Sequence, residues 1–402
     1  MKVLGLISGT SHDGIDAAVV EFEGHGDHLV GTLRHGSVTP YSVELRARLA
    51  AALPPAATSV AEICRLDTHI GQEFAAVAVA VSDEVGGLDL VVSHGQTVFH
   101  WVDSTHALGT LQLGQAAWIA ERTGVAVVSD VRSRDITAGG HGAPLVSILD
   151  TMLLASRGGR VAALNLGGIS NMTVVDPPAD PSAFDIGPAN ALIDSVIADT
   201  GINDRGFDVD GLVAASGTVD HDVLHAFLDD DYYALPTPKS TGKEHFNGDY
   251  VRAVLGRTGR VLPPADLVAT LTELTVRTVA QAVTEASIET VVASGGGCRN
   301  PVMMAGLRRA LDVPVIPSDD LGAPADVKEA MAFALIGWCT VHGLPGNEPA
   351  ATGAGGRRIL GTITPGANPL VLPPPHTTPV RSLELRDATP PPPVSDAPAA
   401  GT

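Results

Sequence analysis

Cysteine, aromatic residues and positive charge are all scarce in this chain of 402 residues. Its three cysteines, Cys64, Cys298 and Cys339, are far apart in sequence, which excludes a CxxC motif and disfavours a disulfide scaffold or a structural zinc site. Aromatic residues make up only 4% of the chain, so the core must consist of Val, Ala, Leu and Ile. The net charge of −20 argues against nucleic acid or an anionic membrane surface as a partner.

Long apolar runs are also absent. No stretch reaches the roughly 18 apolar residues that a membrane-spanning helix needs, and the short apolar run after Lys2 meets a carboxylate at Asp13, before a signal-peptide core is complete. Together with the cysteine usage, this predicts a cytoplasmic protein without a membrane partner. The length allows two or three domains. The sequence leaves a homodimer open.

The most informative stretch is Leu4–Val20, in which two apolar runs flank a polar turn. This pattern predicts a β-hairpin whose tip binds phosphate, because glycines with positive φ let backbone N–H groups approach a ligand closely. Two carboxylates at the tip suit Mg²⁺. The alternative is an ordinary polar turn. The tip consists of Gly9, Thr10, Ser11, His12, Asp13, Gly14, Ile15 and Asp16.

Strands and helices alternate along the rest of the chain, which indicates an α/β fold. Polar residues collect just after the predicted strands, for example in 93–97 and 129–135, where open α/β sheets bind ligands. A second strand–turn–strand unit spans Val161–Val175, and a third small-residue turn follows a strand at Gly295–Gly297. Three such turns are able to hold two phosphate segments and a nucleoside.

Several common nucleotide motifs are missing. The chain has no GxxxxGK[ST] P-loop, no GxGxxG in the right context for a dinucleotide site, and no HRDxxxxN kinase loop. The divided arrangement of turns instead resembles the superfamily of sugar kinases, Hsp70 and actin, in which two related domains bind ATP between them.

Eight sequence blocks resemble one family of that superfamily much more closely, the anhydro-N-acetylmuramic acid kinases. They occur in the family's order and cover residues 3 to about 365. The blocks are ISGTSHDGIDAAVV, SHGQTVFH, ERTGVAVVSDVRSRDITAGGHGAPL, NLGGISNMTVV, FDIGPANALID, ALPTPKSTGKEHF, SGGGCRNPVMM and PADVKEAMAFA.

The resemblance implies two actin-like (ribonuclease H-like) domains with mixed sheets flanked by helices and an ATP cleft between them. We expect the first domain at 1–157, completed by a last helix at 324–365, and the second at 158–323. The Pro- and Ala-rich tail, 366–402, is expected to be disordered or extended.

The implied reaction uses ATP and water to open 1,6-anhydro-N-acetylmuramic acid and phosphorylate its O6. The product is N-acetylmuramic acid 6-phosphate, an intermediate of peptidoglycan recycling. Two alternatives stay open: a related kinase with another sugar substrate, and a non-catalytic ATP-binding sensor.

The resemblance assigns the catalytic base to Asp185 in the family's DxGP motif, whereas the residues alone favour a helix N-cap. Glu329 is expected to hold the sugar or aim the water, unless it lies on an exposed helix face. Arg132 and Arg134 are candidates for the lactyl carboxylate, and an extended chain would put both on one face. Either arginine could instead form a surface ion pair.

The remaining assignments concern the sugar, the nucleotide and the metal. His94 and Gln96 resemble residues that line the sugar site, although His94 could be a buried structural histidine. The loop of Lys239, Ser240, Thr241 and Gly242 is expected near the substrate. The tip residues are expected to bind ATP phosphates, and Asp13 and Asp16 are expected to bind Mg²⁺. His12 stands where the family more often has an apolar residue, and a tolerated exposed turn residue is the alternative there. The other expected ATP-binding residues are Asn165, Gly167, Gly168, Ser170, Asn171, Gly295, Gly296, Gly297 and Asn300.

Overall fold

Two mixed β-sheets with helices packed on them make up the chain. The computed structural model describes residues 1–9, 12–54, 56–103, 106–237, 239–242 and 245–386, without the side chain of residue 25. The α/β class predicted from the sequence is confirmed. The helices are α1 (Val43–Ala52), α2 (Val60–Val85), α3 (Ala116–Thr123), α4 (Ser133–Ile136), α5 (Ser147–Ala155), α6 (Asn190–Thr200), α7 (Leu212–Ser216), α8 (His221–Leu228), α9 (Gly248–Thr258), α10 (Pro264–Glu285), α11 (Pro301–Ala310), α12 (Lys328–Val341) and α13 (Pro349–Thr352).

The first sheet grows from the N-terminal hairpin. Its strands are β1 (Lys2–Ser8), β2 (Gly14–His25), β3 (His28–Pro40), β4 (Leu90–Asp103), β5 (His106–Leu113), β6 (Val127–Ser129), β12 (Thr362–Thr364) and β13 (Ser382–Arg386). The order across the sheet is β12-β6-β4-β1-β2-β3-β13, and β5 pairs with β4. β1 pairs antiparallel with β2 and parallel with β4, so the sheet is mixed.

Side-chain alternation along β1 divides the first core in two, because successive strand residues point to opposite faces. Leu4 and Leu6 pack with α2 and α3, whereas Val3 and Ile7 pack with α5 and α12. Gly5 lies where α12 crosses the strand, and a Cβ there would come within 1.9 Å of the Ala330 carbonyl oxygen. The absence of a side chain at Gly5 therefore sets how closely the helix bearing Glu329 packs on the sheet.

The second sheet contains β7 (Val161–Leu166), β8 (Ile169–Val175), β9 (Ser182–Pro188), β10 (Thr290–Ser294) and β11 (Val315–Pro317). Its order is β11-β10-β7-β8-β9. One face packs on α6, α8, α10 and α11, and the other face packs on the end of α5. Since α5 also packs against the first sheet, it lies between the two sheets.

Three element predictions are wrong. β4 does not end at the polar cluster 93–97 but continues to Asp103, because β5 pairs with it antiparallel over that length. The segment 324–365 is not a single helix: α12 covers only Lys328–Val341, and α13 and β12 follow. Residues 129–135 are not extended throughout, because α4 begins at Ser133.

The C-terminal segment also differs from the prediction. β13 pairs parallel with β3, placing Leu383 beside Leu29, and Leu383 is fully buried. This part of the tail belongs to the first sheet because an apolar side chain and a strand edge are both available to it. Residues 387–402, the rest of the predicted disordered tail, lie outside the described residues. Apart from β13, each sheet draws its strands from the ranges expected for one domain, but the domain boundaries themselves stay a prediction.

Within the described part of the chain, no helix has both the length and the apolar character that crossing a membrane requires.

Candidate active site

The tip of the N-terminal hairpin connects β1 to β2. Thr10 and Ser11 lie outside the described residues. Among the described tip residues His12 is left-handed, with φ of 54°, whereas Gly9 and Gly14, for which the hairpin prediction allowed a positive φ, are not. Gly14 serves a different purpose, since a Cβ there would approach the Thr39 carbonyl oxygen of β3 to 2.4 Å.

The predicted ATP-binding positions in this hairpin differ sharply in exposure. Ile15 is 1% exposed and packs in the core beside α2, so only its backbone can face a ligand. Asp13 is exposed, and Asp16 is half-buried in β2 opposite Ile7. The two carboxylates proposed for the metal are therefore both accessible to solvent, Asp13 more than Asp16.

Negative charge gathers around Asp16. Burial, together with the negative charges of Glu329 and Asp13, raises the pKa of Asp16 to about 6. Burial also raises the pKa of Glu329, while the positive charges of Arg132 and Lys328 lower it. The Glu329 side chain is exposed, as the alternative of an exposed helix face has it, yet its charge acts on the pKa values of both Asp16 and Arg132.

Arg132 is held by His94. The Arg132 Nε donates to His94 Nε2 at 2.7 Å, and its Nη1 donates to the Gly142 carbonyl oxygen at 2.5 Å. Burial, together with the Arg132 charge, lowers the pKa of His94 to about 3, so the imidazole is neutral. With Nε2 as acceptor, Nδ1 carries the proton and donates to the Gly95 carbonyl oxygen at 2.9 Å. His94 is 3% exposed, and in this structure its ring holds Arg132 in position.

Arg134 is placed differently from Arg132. The expectation that both side chains share one face is wrong, because residues 133–136 form α4 and the strand period of two does not apply. Arg134 is exposed, whereas Arg132 is only partly accessible.

Gln96 is completely buried and supports the hairpin from below. Its Oε1 accepts from the Ser8 hydroxyl at 2.6 Å, and its Nε2 donates to the Gly9 carbonyl oxygen at 3.0 Å. These contacts hold the end of β1 where the tip begins. In this structure Gln96 therefore orients the predicted phosphate loop and does not itself line a surface.

Four polar residues form a row across the second sheet. Register pairs Ser294 of β10 with Asn165 of β7, Asn165 with Asn171 of β8, and Asn171 with Asp185 of β9. Residues directly opposite one another on paired strands point to the same face. The row therefore brings two predicted ATP-binding amides beside the predicted base.

The Asp185 carboxylate is oriented by the loop that follows Tyr232. Its Oδ2 accepts from the Ser240 hydroxyl and from the Thr241 backbone N–H, both at 2.9 Å. The sequence indicated that Asp185 ends a strand, but the residue lies inside β9. The helix N-cap alternative is also wrong, since the cap of α6 is Ala189 without a side-chain bond.

The turn between β7 and β8 is held by hydrogen bonds from the segment that follows β9. Asn190 Nδ2 donates to the carbonyl oxygens of Leu166 and Gly167, and Ser170, which is fully buried, donates to the Gly187 carbonyl oxygen. Ser170 thus braces the DxGP segment. Asn190 was missed in the sequence, although its position directly after DxGPA is the signal that could have identified it.

The glycine turn after β10 is tightly packed. Gly295 has φ of 89°, and a Cβ on it would lie 2.5 Å from the Asn165 side-chain oxygen. Gly297 packs on Leu166, while nothing lies near a Cβ on Gly296. Asn300 is 4% exposed and caps α11 by accepting from the N–H groups of Val302 and Met303. In this structure Asn300 shapes the turn.

Lys328 and Asp150 also belong to this region but were not identified from the sequence. Lys328, which directly precedes Glu329, is 5% exposed. Its Nζ lies 2.6 Å from Asp150 Oδ1 and donates to Ser294 Oγ at 3.1 Å. No local pattern marks this pair, because the residues come from α12, α5 and β10.

Comparisons with known proteins agree with the resemblance seen in the sequence blocks. The sequence model of the family described as anhydro-N-acetylmuramic acid kinase matches residues 1–366. The anhydro-N-acetylmuramic acid kinase of Rhodococcus erythropolis is 52% identical over 380 residues, covering 92% of this chain and 96% of that protein. That of Streptomyces coelicolor is 51% identical over 389 residues, covering 96% and 99%.

Solved structures align more distantly. The activator of 2-hydroxyisocaproyl-CoA dehydratase from Clostridium difficile, with bound ADPNP, has a TM-score of 0.38 and 10% identity, covering 83% of this chain and 93% of its own. The ROK hexokinase from Thermus thermophilus has a TM-score of 0.36 and 16% identity, covering 84% and 100%. These low scores carry no argument about function. The family match over residues 1–366 and relatives at about half identity show that the chain belongs to the anhydro-N-acetylmuramic acid kinase family.

Proposed function

We propose that this kinase converts 1,6-anhydro-N-acetylmuramic acid, ATP and water into N-acetylmuramic acid 6-phosphate and ADP. Family membership over nearly the whole chain supports the reaction. The observation that carries it is the Asp185 carboxylate, which two donors orient beside Asn171 and Asn165. A fixed carboxylate next to candidate phosphate-binding groups suits a base that must act while a phosphoryl group is transferred.

In the proposed reaction Asp185 takes a proton from a water molecule, whose oxygen attacks the anomeric carbon. The bond between that carbon and O6 breaks, and the electron pair stays on O6. The freed O6 then attacks the γ-phosphorus, and ADP leaves. The water oxygen ends on the anomeric carbon, so one water and one ATP are used per sugar.

Arg132 and Glu329 are proposed to hold the sugar. A guanidinium suits the carboxylate of the lactyl group because its planar donors match two oxygens. His94 and the Gly142 carbonyl fix the direction of Arg132. Glu329, close enough for the Arg132 charge to act on its pKa, is proposed to accept from a sugar hydroxyl or from the attacking water.

The hairpin tip, the β7–β8 turn and the glycine turn are proposed to bind ATP. Among the described residues no group of three or more His, Cys, Asp or Glu side chains is arranged to hold a metal. Asp13 and Asp16 nevertheless fit Mg²⁺, which commonly takes one or two carboxylates and completes its shell with phosphates and water. When bound, Mg²⁺ would offset the charge of the phosphates and of these two carboxylates.

We further propose that the reaction serves peptidoglycan recycling in the cytoplasm. The substrate is a small amino sugar, and the net charge of −20 gives no attraction to nucleic acid. A homodimer stays open as the assembly.

The test is to incubate the purified chain with Mg-ATP and anhydro-N-acetylmuramic acid in ¹⁸O-labelled water. We expect sugar-dependent ADP release and a 6-phosphorylated product with the label at the anomeric hydroxyl and none in the phosphate. Turnover of a different sugar would indicate a related kinase. ATP binding without sugar-dependent ADP release would indicate a sensor, and either result would overturn the proposal.

A matched pair of variants tests the base. Asp185→Asn should lower kcat by about 10²-fold or more, because general base catalysis contributes that much, while ATP still binds. Asp180→Asn, at an exposed position before β9, should leave kcat unchanged. Near-normal turnover by folded Asp185→Asn would show that another group is the base.

A further inference from the structure

Lys328 connects three elements that are distant in sequence. It is the first residue of α12, its ammonium pairs with Asp150 of α5 at 2.6 Å, and it donates to Ser294 at the end of β10 at 3.1 Å. Ser294 directly precedes the glycine turn, and Glu329 directly follows Lys328. The buried Lys328 ammonium therefore connects the start of α12, where Glu329 lies, to Ser294 at the start of the glycine turn.

The positive charge of Lys328 acts on ionisable groups in both of these segments. The Lys328 charge lowers the pKa of Glu329 on one side and that of Cys298, in the glycine turn, on the other, against the larger effect of burial in both. A second contact, the ion pair between Arg299 and Asp326, spans the same two segments, but both side chains are exposed.

Physical costs make a purely stabilising role for Lys328 a poor explanation. A positive charge at a helix N-terminus opposes the helix dipole, and taking an ammonium out of water is expensive even when it is paired. An apolar side chain of similar length would fill the space without these costs. Buried ionic groups are best attested where they set the register of packed elements.

We propose that Lys328 is a positioning residue that fixes the spacing between the glycine turn of the second sheet and Glu329 of α12. This inference rests on the proposed function, since it assigns the two segments to the nucleotide and the sugar. Held by Asp150, the ammonium keeps Ser294 and the first turn of α12 in one arrangement. The acceptor oxygen and the γ-phosphate would then meet at a set distance once both substrates bind.

The kinetic test compares four variants. Lys328→Met should lower kcat by about tenfold or more while both KM values change by less than about threefold, because misplacement of about 1 Å impairs reaction more than binding. Ser294→Ala, which removes only the acceptor, should lower kcat by about threefold. Lys328→Arg should recover part of the loss. Asp326→Asn, which breaks only the exposed ion pair, should stay within about twofold of the wild type.

Hydrogen exchange gives a readout that needs no substrate. Lys328→Met should speed exchange in 294–299 and in the first turn of α12 together, whereas Lys2→Met, far from both, should change neither. Faster exchange in α12 alone would reduce Lys328 to a local role and overturn the inference. A folded Lys328→Met enzyme with kcat within twofold of the wild type would also overturn it.

Two safeguards keep the tests separable. If Lys328→Met does not fold, Ser294→Ala decides, and an unchanged kcat in that variant overturns the inference. If the wild type shows no sugar-dependent ADP release, the proposed function fails, while the exchange experiment still tests the link between the two segments.

Discussion

At the scale of single residues, exposure separates two arginines that look equivalent in the sequence. Arg132 and Arg134 share one motif, and alternation in an extended chain would have aimed both at a ligand. The short helix α4 instead turns Arg134 outward, while His94 and the Gly142 carbonyl hold Arg132 inward. A difference of this kind cannot be predicted from the motif, because it depends on where a four-residue helix begins.

Arg132→Met should raise the KM for the anhydro sugar by roughly 10–100-fold, since hydrogen bonds to a charged group contribute about 1.5–3 kcal/mol. Arg134→Met should change that KM by less than about twofold, as expected for a side chain in water. Steady-state kinetics with varied sugar and saturating ATP measure both. A larger effect at Arg134 would reverse the assignment.

His94 predicts a dependence of stability on pH. Its pKa of about 3 in the folded chain lies below the ordinary value of 6.5, so between these values the unfolded chain binds more protons. This contribution to stability is complete above about pH 6.5 and is lost, at up to about 1.4 kcal/mol per pH unit, as the pH falls towards 3.

The measurement is urea unfolding of the wild type and of His94→Gln at pH 6.5 and pH 5. Between these two values the wild type should lose about 1.6 kcal/mol more than the variant, because glutamine does not titrate. Other ionisable groups change both proteins alike, so the difference isolates His94. Parallel losses would show that His94 is not held neutral.

At the scale of elements, local patterns predicted most strands and helices. The predictions failed where a strand is defined by pairing with another part of the chain. The hairpin β1–β2, the long helix α2 and the second strand–turn–strand unit follow from apolar periodicity and turn residues. β4 is longer than predicted because β5 returns along it. β13 was missed because a five-residue strand after a proline-rich stretch carries almost no periodic signal.

Leu383→Ala tests whether β13 belongs to the folded core. Leu383 is fully buried in the cluster that contains Leu29 and Trp338, so we expect a loss of about 2–4 kcal/mol in unfolding free energy. Val371→Ala, at a side chain that is 85% exposed, should cost less than about 0.5 kcal/mol. Equal stability of the two variants would mean that β13 does not contribute to the core.

At the scale of the whole molecule, buried polar groups join distant parts of the chain. Asp135 is fully buried, and its carboxylate accepts from Asn347, from Thr352 and from the Gly142 N–H at 2.7–2.8 Å. It therefore ties the loop that holds Arg132 to a segment more than 200 residues later. Neither partner was predicted, because nothing local in VRSRD or near Asn347 indicates a contact over that separation.

Asp135→Asn should lower the unfolding free energy by about 2–4 kcal/mol, because an amide nitrogen replaces an acceptor among three buried donors. Looser support for Arg132 should also raise the KM for the sugar. Asp130→Asn, at an exposed carboxylate that accepts from the Ser133 hydroxyl, should cost less than about 0.5 kcal/mol. Denaturant unfolding with sugar kinetics measures both, and an unchanged Asp135→Asn enzyme would contradict the role.

The sequence by itself determined the family, the α/β class and the candidate base, because motif residues and turn chemistry are encoded within about ten positions of one another. It also placed a β-hairpin at the start of the chain, which β1 and β2 confirm. Only the tertiary structure decided that Arg132 is held inward, that Asp135 braces its loop, and that Lys328 is buried between the two sheets. Each of these depends on a partner 34 or more residues away, and burial is a property of the packed molecule that no short stretch of chain contains.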